Sequence, residues 1–347
     1  MIRLIGRRIT LSLNELWFLL ISVLFVGFFF LEGYDYGVGM ATRFLAKNEV
    51  ERRVLINTIG PFWDSNEVWM ITAGGAMFAA FPNWYATLFS GFYVPLVLML
   101  LLLIARGTAF EFRGKVGNSN WRNTWDWLIF LASLLVPLLW GVVFSAIVHG
   151  LPIDHNMNMD AAFSSYLNMY TILGGLAITL LCFFHGLVFI CLRTVGDLQR
   201  RARQMAKKVI GILAIFLIAF VIATYFSTDL FSVRGGLLVP IYALVVIFLA
   251  LSGYFLAKKR DGWAFGMNAA VIALTIASLF VGLFPRVMIS NIKSAYDLTI
   301  YNAASGSYSL TVMSIVAVTL LPFVLGYTIW SYIVFRKRVH KDQHLEY

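Results

Sequence analysis

Four carboxylates and an amide stand in apolar surroundings where charge is costly. Glu32 and Asp35 lie in Leu31-Glu-Gly-Tyr-Asp-Tyr-Gly-Val-Gly39, and Asp64 and Glu67 lie in Thr58-Ile-Gly-Pro-Phe-Trp-Asp-Ser-Asn-Glu-Val-Trp69. Each pair is three residues apart, so on a helix its members share a face. Carboxylates held inside a membrane mark ion or proton pathways, and Asn66, Ser65 and the neighbouring tyrosines could hold a water chain between them. The competing reading is structural: an acidic residue near a helix end can cap backbone groups or pair with a loop arginine such as Arg43 or Arg53. Two such pairs in adjacent spans favour proton or ion transfer over that reading.

Their depth follows from the run behind them. From Val68 to Ala105 the chain carries no charge for 38 residues. As one helix this run would be roughly 57 Å long at ~1.5 Å per residue, against a hydrocarbon core of ~30 Å. It must therefore fold back, and Phe81-Pro-Asn-Trp84 is the obvious turn. Two spans then require the first to begin well before Val68, which draws Asp64 and Glu67 into the membrane. Gly33 and Gly37, and the small residues of Ile71-Thr-Ala-Gly-Gly-Ala76, including Gly74 and Gly75, suit close helix packing in lipid.

With 347 residues, 60% hydrophobic and 13% charged, the chain reads as an all-α, polytopic membrane protein in a single integral domain. Apolar segments long enough to cross fall near 13–41, 54–80, 84–105, 124–148, 165–192, 209–228, 236–257, 263–284 and 309–335. About nine spans are therefore expected, as two four-helix bundles plus one peripheral helix. With nine spans and the C-terminus inside, 21 of the 27 Lys and Arg residues fall on the inner side. An eight-span arrangement gives 20, so charge bias alone leaves the first two segments open. The net charge of +10 is read as basic inner loops and not as a nucleic-acid surface. The basic start, Met1–Arg8, imitates a signal peptide without a small-residue cleavage site and is read as leading into a retained first span.

Other chemistries find little support. Cys182 and Cys191 share one apolar helix and cannot bridge each other, and no Cys/His cluster suggests zinc. Of five histidines only His185 lies deep in a span; His149 closes the fourth span, His155 is in an outer loop, and His340 and His344 are in the tail. His185 is a weak candidate for a haem ligand, since membrane haem subunits supply several ligands at matched depth; polar packing is the favoured role. No phosphate-binding or dinucleotide motif is present. The loop Ala109-Phe-Glu-Phe-Arg-Gly-Lys115 and the stretch Arg200–Lys208 are topology determinants that could also contact anionic lipid.

The two carboxylate motifs, with Thr72–Ala76, Phe78–Pro82, Tyr85–Tyr93 and Phe110–Lys115, closely resemble subunit II of the cytochrome bd-type quinol oxidases. The specific match covers roughly the first 115 residues; beyond them the span count and basic tail agree. The resemblance implies a bacterial cytoplasmic-membrane protein, N-terminus outside and C-terminus cytoplasmic. It implies a partner, subunit I, that carries two b-type haems and a d-type haem and reduces oxygen to water with electrons from quinol. This chain is then expected to bind no cofactor directly, with a structural quinone, a lipid and a small single-span accessory subunit left open. The resemblance assigns a proton route to Asp64, then to Glu32 and Asp35, with Glu67, where related sequences can carry an amide, after them. The alternative from another class is a proton-coupled secondary transporter, which should act without a partner and show broken helices meeting at mid-membrane.

Overall fold

The computed structural model describes residues 11–340, together with the backbone of a short antiparallel pair, Arg3–Leu4 with Arg7–Arg8. The reading of Met1–Arg8 as a leader-like segment, Lys341 and His344 therefore lie outside the residues described in full. Eleven α-helices account for nearly all the regular structure among the described residues. They are α1 (Leu13–Leu45), α2 (Glu49–Ile59), α3 (Trp63–Ala80), α4 (Pro82–Gly91), α5 (Tyr93–Phe112) and α6 (Ser119–His149). The remaining five are α7 (Met169–Arg193), α8 (Gly196–Ser227), α9 (Leu230–Ala257), α10 (Asp261–Leu283) and α11 (Ser307–Val334).

Local chemistry sets the helix ends. Ser12 caps α1 in a box with Glu15, Asn48 caps α2 through the Glu51 amide, and Asn168 caps α7 reciprocally with Thr171. The segment expected as one span near 54–80 is two helices. Pro61 has no amide to donate, so α2 ends at Gly60 and a new helix starts at Trp63. The next expected span, near 84–105, also divides, into α4 and α5, and α5 runs on to Phe112. This shift carries Arg106 from an expected loop into the body of a helix.

Eight helices are long and apolar enough to cross a membrane: α1 and α5 to α11. The polar start of α3 keeps it out of that group, yet it runs antiparallel along α11. Its first turn meets the far end of α11 through the Phe62–Phe335 ring contact at 6.0 Å, and its last residue accepts the Ser305 amide at 2.8 Å, just before α11 begins. Helix α3 thus lies alongside a helix of crossing length.

Helix α1 is central and packs against α3, α6, α7 and α10. Around it α5 packs on α6, α6 on α7, α7 on α8 and α10, and α9 on α10, and α11 rests on α1 and α3 with most of its surface exposed. The α1–α7 crossing is close because a Cβ on Gly37 would meet the Gly186 backbone at 2.6 Å; only glycine fits there. At Gly33 a Cβ would meet Cys182 Sγ at 3.5 Å, an ordinary contact. Gly74 and Gly75 depart from expectation: neither meets an atom of this chain within 4 Å, and both line an open apolar groove of about 520 Å³. Their smallness serves no helix contact within the chain.

Candidate functional site

Three of the four carboxylates, Glu32, Asp35 and Glu67, come to one region where α1, α3 and α5 meet, and they are held differently. Glu32 is fully buried on α1 and receives a hydrogen bond from Arg106 Nη2 of α5. The same nitrogen donates to Glu67 Oε1 of α3 at 2.8 Å, so one guanidinium ties three helices through two carboxylates. The Arg106 guanidinium also lies 4.5 Å from the centre of the Tyr36 ring, a cation–π contact in a desolvated setting. Arg106 was expected in an inner loop as a topology determinant; it is instead a fully buried member of the site. The signal that could have found it was charge balance. Several embedded carboxylates need a cation, and Arg106 is the first one after the long uncharged run.

One turn further along α1, Asp35 is equally buried and belongs to a second set. Asn66 Nδ2 donates to Asp35 Oδ2 at 2.7 Å and to the Tyr34 hydroxyl at 2.8 Å. Tyr332 of α11 donates to Asn66 Oδ1 at 3.1 Å, and its hydroxyl is in contact with that of Tyr34. Aromatic stacking closes the set: Phe62 lies 4.6 Å over Tyr332, and Phe189 lies 4.0 Å over Tyr34. Helix α11, peripheral elsewhere, contributes here its one polar group directed at the core site.

Five buried polar atoms of these two sets have no hydrogen-bond partner among the described residues: Glu32 Oε2, Asp35 Oδ1, Tyr36 Oη, Arg106 Nε and Arg106 Nη1. Buried polar groups are normally paired, so this cluster is the part of the core suited to taking water or protons. Asp64 is placed apart. It is exposed on α3, one turn before Glu67. Asp64, Glu67, Glu32 and Asp35 therefore form a series from the open face of α3 to the buried core.

His185 does not fit a haem. Its Nε2–H donates to the Phe30 carbonyl at 3.1 Å, and its Nδ1 accepts from Asn268 Nδ2 at 2.9 Å. Both ring nitrogens are thereby engaged, and the ring stacks on Phe265 at 4.7 Å. The carbonyl partner fixes the tautomer. Among the described residues no group of three or more His, Cys, Asp or Glu side chains could hold a metal ion.

The family profile for cytochrome bd terminal oxidase subunit II matches residues 13–335. This chain belongs to that family. It is a subunit of an oxidoreductase complex, the cytochrome bd terminal oxidase, with multiple membrane helices. Similar proteins include cytochrome bd ubiquinol oxidase subunit 2 of Bacillus subtilis, 59% identical over 97% of this chain and 99% of that protein. Cytochrome bd-I ubiquinol oxidase subunit 2 of Escherichia coli is 36% identical over 95% of this chain and 96% of its own length. The fold is similar to a chain of the bd oxidase from Geobacillus thermodenitrificans, with a TM-score of 0.77, 14% identity, and coverage of 93% of this chain and 99% of that one. Membership in this family removes the ground for the transporter alternative.

Proposed function

We propose that this subunit II is a haem-free partner of a haem-bearing subunit I in a quinol:oxygen oxidoreductase, and that it carries protons from the cytoplasm toward the site of oxygen reduction. The observation that carries the reading is the buried cluster in which Glu32 and Glu67 pair with Arg106 and Asp35 stands one turn away on Asn66. Glu32 and Glu67 share one guanidinium and Asp35 is bonded to an amide instead of a cation, so an apolar bundle can approach neutrality only if protons reside on the excess carboxyls. Such a cluster can take up and hand on protons without a large change in net charge. Water bonded to its unpaired atoms would complete the connection between the Glu32 set and the Asp35 set.

Reducing one oxygen to water consumes four electrons and four protons. Quinol oxidation that releases its protons outside, with uptake from inside, builds a potential without a pump. In this reading the N-terminus lies outside and the C-terminus in the cytoplasm, which sets both carboxylate pairs in the inner half of the bilayer. The exposed face of α3 suits the seat of subunit I. It carries Asp64, which should not meet lipid unpaired, and two glycines that would let another helix approach closely. Haem is expected on subunit I, and the groove beside Gly74 and Gly75 is apolar enough for a structural quinone tail or a lipid chain. A small accessory chain would have to seat on the remaining exposed surface.

The test is oxygen uptake by the purified complex carrying Asp35→Asn or Asp64→Asn, with haem content as the check on assembly. Each should slow turnover by roughly 10²-fold, the scale of a lost proton-transfer group, while haem content stays normal. Normal turnover in an assembled Asp64→Asn complex would take Asp64 out of the path, and normal turnover in both would end the proposal.

A further inference from the structure

The connection between α5 and α6 holds a built polar cavity that the oxidase reading does not use. It has a volume of about 390 Å³ and is lined by Glu49, Arg53, Arg113, Lys115, Gly117 and Arg122, with Phe110, Glu111 and Val116 completing the wall. Arg113 and Glu49 neutralise each other through two hydrogen bonds of 2.8 Å and form the floor. Beside that pair the wall carries Lys115 and Arg122 against one carboxylate, Glu111, so positive charge prevails there; Arg53 also lines the wall. Lys115 is exposed, and Arg122 is held over the loop by donating from Nη2 to the Gly117 carbonyl at 3.2 Å.

The surroundings fix the depth. Trp121 donates from its indole nitrogen to the Phe112 carbonyl at 2.9 Å, and its ring lies 5.4 Å from that of Trp125. Tryptophans of this kind settle at headgroup level in a bilayer. On α5 itself Leu101, Ile104 and Phe112 are exposed and recur at helical spacing, an apolar track of the sort an acyl chain follows. A cationic cavity at headgroup depth, beside an exposed apolar track, is the arrangement that recognises a charged lipid.

We propose that this cavity binds the phosphodiester headgroup of an anionic phospholipid, with Lys115 and Arg122 as its main contacts. The chemistry of the binding is phosphate recognition, and the depth of the cavity assigns it to lipid. The proposal does not depend on the proton path: failure of the Asp35 and Asp64 tests would leave it standing, and its own failure would leave them untouched.

The test uses the whole oxidase complex, stripped of lipid in mild detergent and titrated with phosphatidylglycerol or phosphatidylcholine, with retained lipid counted by native mass spectrometry. The unaltered complex should retain phosphatidylglycerol preferentially. Lys115→Gln should weaken that retention about 5-fold, and the double variant with Arg122→Gln roughly 30-fold. Lys207→Gln with Lys208→Gln removes the same charge from another basic stretch and should change retention less than twofold. Equal weakening by both double variants would reduce the effect to diffuse attraction and overturn the site. Displacement of the lipid by inorganic phosphate as readily as by short-chain phosphatidylglycerol would overturn the lipid assignment in favour of a soluble anion. Haem content reports folding, and the exposed Lys115→Gln carries the test if the double variant fails to assemble.

Discussion

Helix α5 presents the same chemical unit twice, seven residues apart, and the two copies behave differently. At its end Arg113 grips Glu49 of α2 and Asp126 of α6; two turns earlier Arg106 grips Glu32 of α1 and Glu67 of α3. Arg113 is saturated, with Nε on Asp126 at 2.6 Å and both terminal nitrogens on Glu49. A second cation, Arg52, lies 3.2 Å from Asp126 and balances the charge. Arg106 uses one nitrogen for both carboxylates and leaves Nε and Nη1 without a hydrogen-bond partner among the described residues. Glu49 is 36% exposed, whereas Glu32 is not exposed at all. Bulk water reaches the outer unit directly, whereas Glu32 and Arg106 of the inner one are closed off from it. A saturated, balanced unit at the rim ties helices together. An unsaturated unit with excess carboxylates, deep in the bundle, has capacity left for protons.

The largest effect should come from Arg106→Gln, which strands Glu32 and Glu67 without their cation. Breaking a buried pair in this way costs about 3–5 kcal/mol, so the complex should be recovered at a fraction of normal yield. The same change at Arg113 should be milder because Glu49 can be hydrated, and equal losses of yield would erase the distinction drawn here. Next comes Gly37→Leu, which drives a side chain into the Gly186 backbone and should lower assembly severalfold, while Gly33→Leu should retain most of it. Immunoblot quantities of the assembled complex in membranes decide between them.

Glu67→Gln keeps a group that can accept from Arg106 but cannot carry a proton. It should lower oxygen uptake by at least about 10-fold at normal haem content. The matched change at the rim, Glu49→Gln, should leave turnover within a factor of two. The smallest effect belongs to Arg113→Lys, which keeps the charge and loses the fork. A shift of about 1–2 kcal/mol in stability is expected, read as a few degrees in the thermal loss of haem absorbance, with turnover unchanged.

Much of this was legible in the residues. The apolar runs specify an all-helical membrane bundle, and the carboxylate spacing marks α1 and α3 as the helices with chemistry. Glu32, Asp35, Asn66 and Glu67 do meet in space. The break at Pro61 was less legible, because the expected span was laid across it on apolar content alone. Arg106 was misplaced for a related reason: an arginine at the end of an apolar run looks the same whether it snorkels to the surface or turns inward. Tyr332 could not have been found, since it reaches Asn66 across 266 residues of sequence. The histidine was legible as a lone deep polar group but not as a spent one, because its partners lie on α1 and α10.

The sequence by itself determined where helices can form and which of them bear embedded carboxylates. Those properties are local: they follow from apolar length, proline position and the cost of placing charge in hydrocarbon. Only the tertiary structure decided which cation the carboxylates share, that Asp64 faces outward while Asp35 faces inward, and that Gly37 meets a backbone while Gly74 and Gly75 meet none. Those outcomes depend on helix rotation and on partners far away in the chain, and a pattern of residue types along one helix carries no information about either.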